Sequence, residues 1–359
     1  MLARTTDVIV IGGGIIGMSI AWRLAQQRLQ VAVFDIGAVG GEASWAGAGM
    51  LAPGGEIEER SAWSDFALES LQLYPAFVAE LESESGVKID FRQSGAKDLA
   101  FDEAEWTALT ARAARQSALG IASSPLPDEQ ALFYPGDAMV DPRDTVQALR
   151  RACLARGVQI REHEGVTAIY SAIYPGESVD VQSHAKNYSA GSAVLAAGAW
   201  SGPVPLFIGG RLRPIPPSFP VRGHLLGYRL PPDSLGSILR HGHTYILQRA
   251  NGLTIAGSSS EHAGFNREID PAVAADIHRR AVRILPELSN PALSKPEPWL
   301  GFRPATNNLS PEIGRVPDSR VWLAYGHYRN GILLAPATAR RVAFEIGSSA
   351  ITERAAGPL

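Results

Sequence analysis

The sequence predicts an α/β fold: a parallel sheet, opened by a βαβ unit, with a second layer of antiparallel strands interleaved into it. Three observations carry this. Residues 7–35, DVIVIGGGIIGMSIAWRLAQQRLQVAVFD, run strand, glycine turn, helix, strand and acid in unbroken order. Far downstream, the apolar run Ala193 to Ala197 ends at Gly198, and VWLAYGH at 321–327 leads into a helical pattern, as buried parallel strands do. Between them, 221–257 alternates in strand fashion across turns at Pro231-Pro232 and Asn251-Gly252.

Each part of the opening unit has a physical task. Val8 to Ile11 is an apolar β-type run, and Gly12, Gly14 and Gly17 complete G-x-G-x-x-G. Glycines permit the tight turn and let backbone N–H groups approach a pyrophosphate. The helix that follows, with Ile20, Leu24 and Ala25 on one side, opens with unpaired donors and a partial positive charge. Asp35 ends the run Val31 to Phe34 and can accept hydrogen bonds from adenosine ribose hydroxyls. Together these predict a Rossmann-type dinucleotide site.

A Gly/Ala-rich loop at 37–56 follows, through which backbone can pass close to a ligand; Glu56, Glu58 and Glu59 read as a solvated helix start. A long helix is predicted over 61–85, strands within 89–101, a helix over 102–119, then a proline-containing loop to Pro135. Asp141 and Pro142 mark a helix start, with the end near Gly157. Strands at Val158–Ile160 and Val166–Tyr170 precede the return to the first domain. Pro203 to Pro220 reads as a connection, and a helix over Pro271 to Leu285 accompanies the antiparallel strands. The segment W-L-G-F-R-P around Arg303 reads as apolar and turn-like. The expected division is a discontinuous dinucleotide domain, 1–88, 139–202 and 300–359, and a substrate domain, 89–138 and 203–299.

The chain has 359 residues, 45% hydrophobic and 19% charged, with a formal net charge of −3, enough for two domains with sizeable cores. That balance offers no electrostatic case for nucleic acid or an anionic membrane. The single cysteine, Cys153, falls in a helical pattern and reads as a core residue, and no Cys/His zinc spacing occurs. The start of the chain lacks a basic, cleavable leader, and the glycine cluster argues against a membrane span at 8–21, so a cytoplasmic location is expected. Homo-oligomerisation is left open.

Three further segments are GGEASWAGAGML at 40–51, PWLGFRPATNNLSPEIGR at 298–315 and GHYRNGILLAPATA at 326–339. With the opening unit they resemble the D-amino-acid oxidase family of FAD enzymes over nearly the whole chain. The resemblance implies a non-covalent FAD in the Rossmann-type domain. It also implies oxidative deamination of glycine and other small amino acids or amines, such as sarcosine and D-amino acids. The products would be an oxo acid, ammonia and, with oxygen as acceptor, hydrogen peroxide. A link to thiazole synthesis for thiamine comes with the likeness. FAD contacts carry over onto Ile15, Ile16, Asp35, Ile36, Ala43, Ser44, Ala48, Gly49, Met50 and Val166. The C-terminal set is His327, Tyr328, Arg329, Asn330, Gly331, Ile332 and Leu333. Asp35 stands where a glutamate is common in the family.

The last segment has a physical logic of its own. A helix beginning near Gly331 could aim backbone donors at the pyrimidine edge of the flavin, where reduction leaves negative charge. On the substrate side, a guanidinium in an apolar segment is costly to bury without an anion, and its fork can hold a carboxylate in two parallel bonds. The likeness gives that role to Arg303, with Tyr245 assisting and Arg329 close to the amine. His243, near Tyr245, could face either the substrate or solvent. Ser260 stands where glycine-oxidising members carry a bulky methionine, which would enlarge the pocket. No nucleophilic triad or carboxylate pair stands out, as befits a reaction whose electron acceptor is a cofactor. Alternatives are a D-amino-acid oxidase with broader substrates, a flavin dehydrogenase that passes electrons to a carrier, an NAD-dependent dehydrogenase, and a non-catalytic FAD module.

Overall fold

The computed structural model describes residues 6–174, 178–291 and 295–355. In chain order the elements that build the site are β1 (Thr6–Ile11), α1 (Ile15–Gln26), β2 (Val31–Phe34), α2 (Ala62–Ser85), α3 (Pro142–Ala155) and β3 (Asn187–Leu195). They continue with β4 (Phe219–Arg229), β5 (Thr244–Gln248), β6 (Leu253–Gly257), α4 (Pro271–Ile284), β7 (Glu297–Ala305), β8 (Val321–Tyr325) and α5 (Gly331–Ala355).

β1 lies between β2 and β3 and runs parallel to both, and β8 joins parallel to β3, within a ten-stranded sheet. β1 is apolar on both sides because both faces are covered. Val8 and Val10 pack with α1, α2, α3 and α5, while Ile9 and Ile11 pack with the strands Val166–Ser171 and Val179–Ser183. The helices stop where their sequences say. Ser61 caps α2 by accepting from Ser64 N–H, and Gly86 ends it at φ +66°. Asp141 accepts from Arg143 N–H at the start of α3, with Pro142 in the first turn. Cys153 is fully buried in the helical core.

An eight-stranded sheet has the order β7, β4, β6, β5, then the strands Ile238–His241, Ala96–Leu99, Ala131–Tyr134 and Ser124–Leu126. Chain segments far apart in sequence meet here, because Ile238–His241 runs parallel to Ala96–Leu99. α4 covers part of one face.

Several expectations are corrected. The proline-containing loop before Pro135 holds two strands, Ser124–Leu126 and Ala131–Tyr134, with Pro125 tolerated because Ser124–Leu126 is at the sheet edge. The stretch from Pro203 to Pro220 is more than a connection, since Leu206–Ile208 and Arg211–Leu212 extend the ten-stranded sheet. The W-L-G-F-R-P segment is not turn-like. It is β7, paired with β4 from Phe219↔Ala305 to Gly227↔Glu297, and its prolines are accommodated because β7 is also an edge strand. Glu56 does not start a helix: it closes a short 3₁₀ turn, Gly54–Glu56, and α2 begins at Ala62. The expected domain boundary at residue 300 falls inside β7. Among the described residues no helix is long and apolar enough to cross a membrane.

Candidate cofactor and substrate site

A cavity of about 500 Å³ runs from the β1–α1 turn to the face of β7 and takes in residues from both large sheets. Its volume is in the range of ligand and cofactor sites. At one end the turn is shaped by glycine. Gly12 has φ +108°, and a Cβ there would come within 2.3 Å of the Ala196 carbonyl oxygen. A Cβ on Gly17 would lie 1.9 Å from the Gly12 oxygen, so Gly17 serves the seating of α1 on the turn and does not itself line the cavity. Gly12, Gly14, Ile15 and Ile16 do line it.

Asp35 is held by two amides, Gly13 N–H to Oδ2 and Gly37 N–H to Oδ1, both at 2.7 Å. Burial raises its pKa against those two bonds, and Glu42 and Glu162 add to the rise. α1 has no acid in its first turn; its Ile15 N–H donates instead to Ser44 Oγ, 2.9 Å away in the loop that follows β2. That loop runs along the cavity through Ala43, Ser44, Ala48, Gly49 and Met50, while Ile36 and Val166 line the Asp35 end. Gly49 has φ +98° and passes so close to the Val140 carbonyl that a Cβ would sit at 1.8 Å.

The turn between β8 and α5 closes the other side. Tyr328 takes φ +49°, and its N–H donates to the Pro304 carbonyl at 2.8 Å. Asn330 N–H donates to the His327 carbonyl at 2.9 Å. His327 is buried, its Nε2 is 3.1 Å from Thr338 Oγ1, and burial pushes its pKa down to about 3, so the ring is neutral. His327, Tyr328, Arg329, Asn330, Gly331 and Ile332 line the cavity. Leu333 does not: its side chain is in the helical core and 2% exposed.

Arg303 projects from β7 into the cavity. The neighbouring strand makes room for it, because a Cβ on Gly223 would lie 2.3 Å from Arg303 Nη1. Nη1 donates to the Ser259 carbonyl at 2.9 Å and Nη2 to Ser258 Oγ at 2.8 Å. Among the described residues no carboxylate is within 4.0 Å of this guanidinium, and burial lowers its pKa. Tyr245 reaches the same place from β5 by lying across Gly257, its register partner, whose absent Cβ would be 2.5 Å from the hydroxyl. Burial raises the Tyr245 pKa, opposed by the charges of Arg303 and Arg329. Arg329 is engaged elsewhere: its Nη2 pairs with Glu56 Oε1 at 2.7 Å at the cavity mouth.

His243 is exposed and lies outside the cavity. Ser260 is also exposed, and the serine that lines the cavity is Ser258. The sequence reading missed Ser258, the aromatic pair Trp200 and Phe302, and Glu56 as the partner of Arg329. Gly223 gave a signal: it stands in an alternating strand where β residues are ordinarily large.

A dinucleotide turn and a partly buried guanidinium with no carboxylate partner among the described residues open into one cavity, an arrangement that suits a nucleotide-cofactor oxidoreductase. The chain belongs to the FAD-dependent oxidoreductase family, since the family described as "DAO: FAD dependent oxidoreductase" matches residues 7–345. It is 33% identical over 348 residues to the glycine oxidase of Bacillus subtilis (strain 168), covering 94% of this chain and 92% of that one. It is 35% identical to the bifunctional protein ThiO/ThiG of Synechocystis sp., covering 94% of this chain and 51% of the relative. The crystal structure of glycine oxidase from Geobacillus kaustophilus superposes with a TM-score of 0.87 at 28% identity, covering 96% of this chain and 95% of that one. The residues fit FAD: the Gly12 cradle has no room for a side chain, and the Asp35 carboxylate, with one amide on each oxygen, keeps lone pairs for ribose hydroxyls.

Proposed function

We propose that the protein oxidises the amine of glycine and other small amino acids, releasing an oxo acid and ammonia, and hands the electrons to oxygen as hydrogen peroxide. Bound FAD supplies the two-electron acceptor. The observation that carries the reading is the Arg303 guanidinium: partly buried, facing the cavity, and without a carboxylate partner among the described residues. Two of its five donors are spent on Ser258 and Ser259. The rest suit a substrate carboxylate, which would supply the charge the protein withholds.

The other residues orient and insulate. Tyr245 keeps its proton because burial raises its pKa, so its hydroxyl can donate to the same carboxylate. Glu56 is tied to Arg329, while Asp35 and Glu42 belong to the dinucleotide end, so among the described residues the cavity lining offers no free carboxylate as general base beside Arg303. The substrate must therefore arrive with its amine neutral. On this reading the bulk of 89–138 and 203–299 serves the substrate together with Arg303 on β7, and 1–88, 139–202 and the rest of 300–359 serve the cofactor. The glycine oxidase names of relatives support glycine as a substrate, and the ThiO/ThiG names support a link to thiamine synthesis.

A peroxide assay of the purified FAD-loaded protein under air tests this against glycine, sarcosine and a panel of D- and L-amino acids. Turnover of glycine with one peroxide per substrate is expected. Turnover without peroxide would mean transfer to another acceptor. No turnover with any member would overturn the proposal.

A further inference from the structure

Helix α5 carries Pro336 inside it. Proline has no N–H, so the Ile332 carbonyl four residues earlier loses its intrahelical donor, and the ring crowds that carbonyl. Such a helix start holds its shape only when a neighbour satisfies the freed group. The neighbour is α2. Tyr74, fully buried, donates its hydroxyl to the Ile332 carbonyl at 2.5 Å. One turn earlier on the same face, buried Ser70 donates to the Leu333 carbonyl at 2.7 Å and accepts from Ala337 N–H at 3.2 Å. Ser70 thus stands between the donor and the acceptor of the next helical bond.

The support is itself rigid. The Tyr74 ring stacks on Phe91 with centroids 6.0 Å apart and meets Phe77 edge-on at 5.9 Å. Burial raises its pKa, so the hydroxyl remains a donor. From the opposite side, the Ile332 side chain fills the space that Gly47 leaves, where a Cβ would be 2.5 Å from Ile332 Cδ1. The first turn of α5 is therefore gripped through its carbonyls by one helix and through its side chain by the cofactor loop.

We propose that Ser70 and Tyr74 are positioning residues for the flavin. Through the Ile332 and Leu333 carbonyls they set the direction of the first turn of α5, whose free amides leave the helix start toward the cavity. The inference rests on the reading that this turn meets the pyrimidine edge of FAD. Amides held at that edge favour the reduced, more negative ring over the oxidised one. A turn released from α2 points them less accurately, and the preference for the reduced ring falls.

The midpoint potential of the FAD-loaded protein, measured against a reference dye, is the readout. Tyr74→Phe removes one hydroxyl and orphans the Ile332 carbonyl. It is expected to weaken the preference for reduced flavin roughly tenfold, which for a two-electron couple lowers the potential by about 30 mV. Pro336→Ala returns a backbone N–H to the Ile332 carbonyl, so Tyr74→Phe/Pro336→Ala is expected to regain the wild-type potential, which lost packing alone would not allow. Ser70→Ala, read in the same way, is expected to shift the potential in the same direction and decides the matter if Tyr74→Phe does not fold. Unchanged potentials in the folded variants, or a shift that Pro336→Ala leaves in place, would overturn the proposal. A wild-type protein that refuses FAD would instead overturn the underlying reading, before any variant is compared.

Discussion

Replacing Arg303 by Met separates function from stability. The substitution keeps an unbranched chain but deletes the guanidinium, and with it the bonds to the Ser259 carbonyl and Ser258 Oγ. A charge-assisted bond to the substrate carboxylate is worth ~1.5–3 kcal/mol, so kcat/KM for glycine should fall roughly 10–150-fold. An amine with no carboxylate should lose much less. The stability of the unliganded protein should change little. Wild-type Arg303 is a partly buried charge with no carboxylate within 4.0 Å among the described residues. Removing such a charge in favour of an apolar side chain relieves its desolvation but forfeits the bonds to Ser258 and Ser259, so the net change should lie within about 1 kcal/mol of zero. The assay pairs steady-state kinetics on both substrates with denaturant unfolding of the substrate-free protein. Equal loss on both substrates, or a destabilisation of about 3 kcal/mol or more, the mark of a broken structural ion pair, would refute the anchor role.

Three further outcomes follow from particular contacts. Gly223→Ala places a methyl 2.3 Å from Arg303 Nη1, so it should raise KM for glycine while leaving the affinity for FAD unchanged; a change in FAD affinity with KM intact would contradict this placement. Asp35→Ala removes the acceptor at the ribose end and should weaken FAD binding by apoprotein roughly 10–100-fold, read by flavin fluorescence, with unchanged affinity as the contrary result. His327 is buried neutral, with its pKa pushed down from 6.5 to about 3. Its contribution to stability is full above pH 6.5 and is lost progressively as pH falls toward 3, because the unfolded chain takes up the proton first. His327→Asn should therefore flatten the decline of unfolding free energy below pH 6.5, and a variant as acid-sensitive as wild type would contradict it.

The parts of the site that lie along one short stretch of chain were legible in the sequence. The glycine turn, α1 and Asp35 are one local unit, and Asp141-Pro142 is a local cap, so their geometry follows from neighbouring residues. Arg303 was found as a residue but not as a strand. Its segment read as turn-like, and only its pairing with β4 at a sheet edge makes its prolines compatible with β7. The Glu56–Arg329 pair joins positions 273 residues apart, and nothing in either segment alone announces it. Ser258 and Ser260 are two residues apart in a run of serines, and which one faces the cavity depends on where β6 ends, which only the tertiary context sets. Leu333 and Gly17 stand within cavity-lining segments, but their helices turn them into the core and onto the β1–α1 turn.

On the proposed function, one cavity holds FAD beside a small amino acid clamped by Arg303. Titrating the FAD-loaded protein with glycine in the absence of oxygen reads that arrangement out as flavin reduction. The visible absorbance of the flavin should be lost in the wild type, and Arg303→Met should require far more glycine to reach the same loss. A flavin that stays oxidised in the wild type at every glycine concentration, or one that bleaches equally well in both proteins, would contradict it.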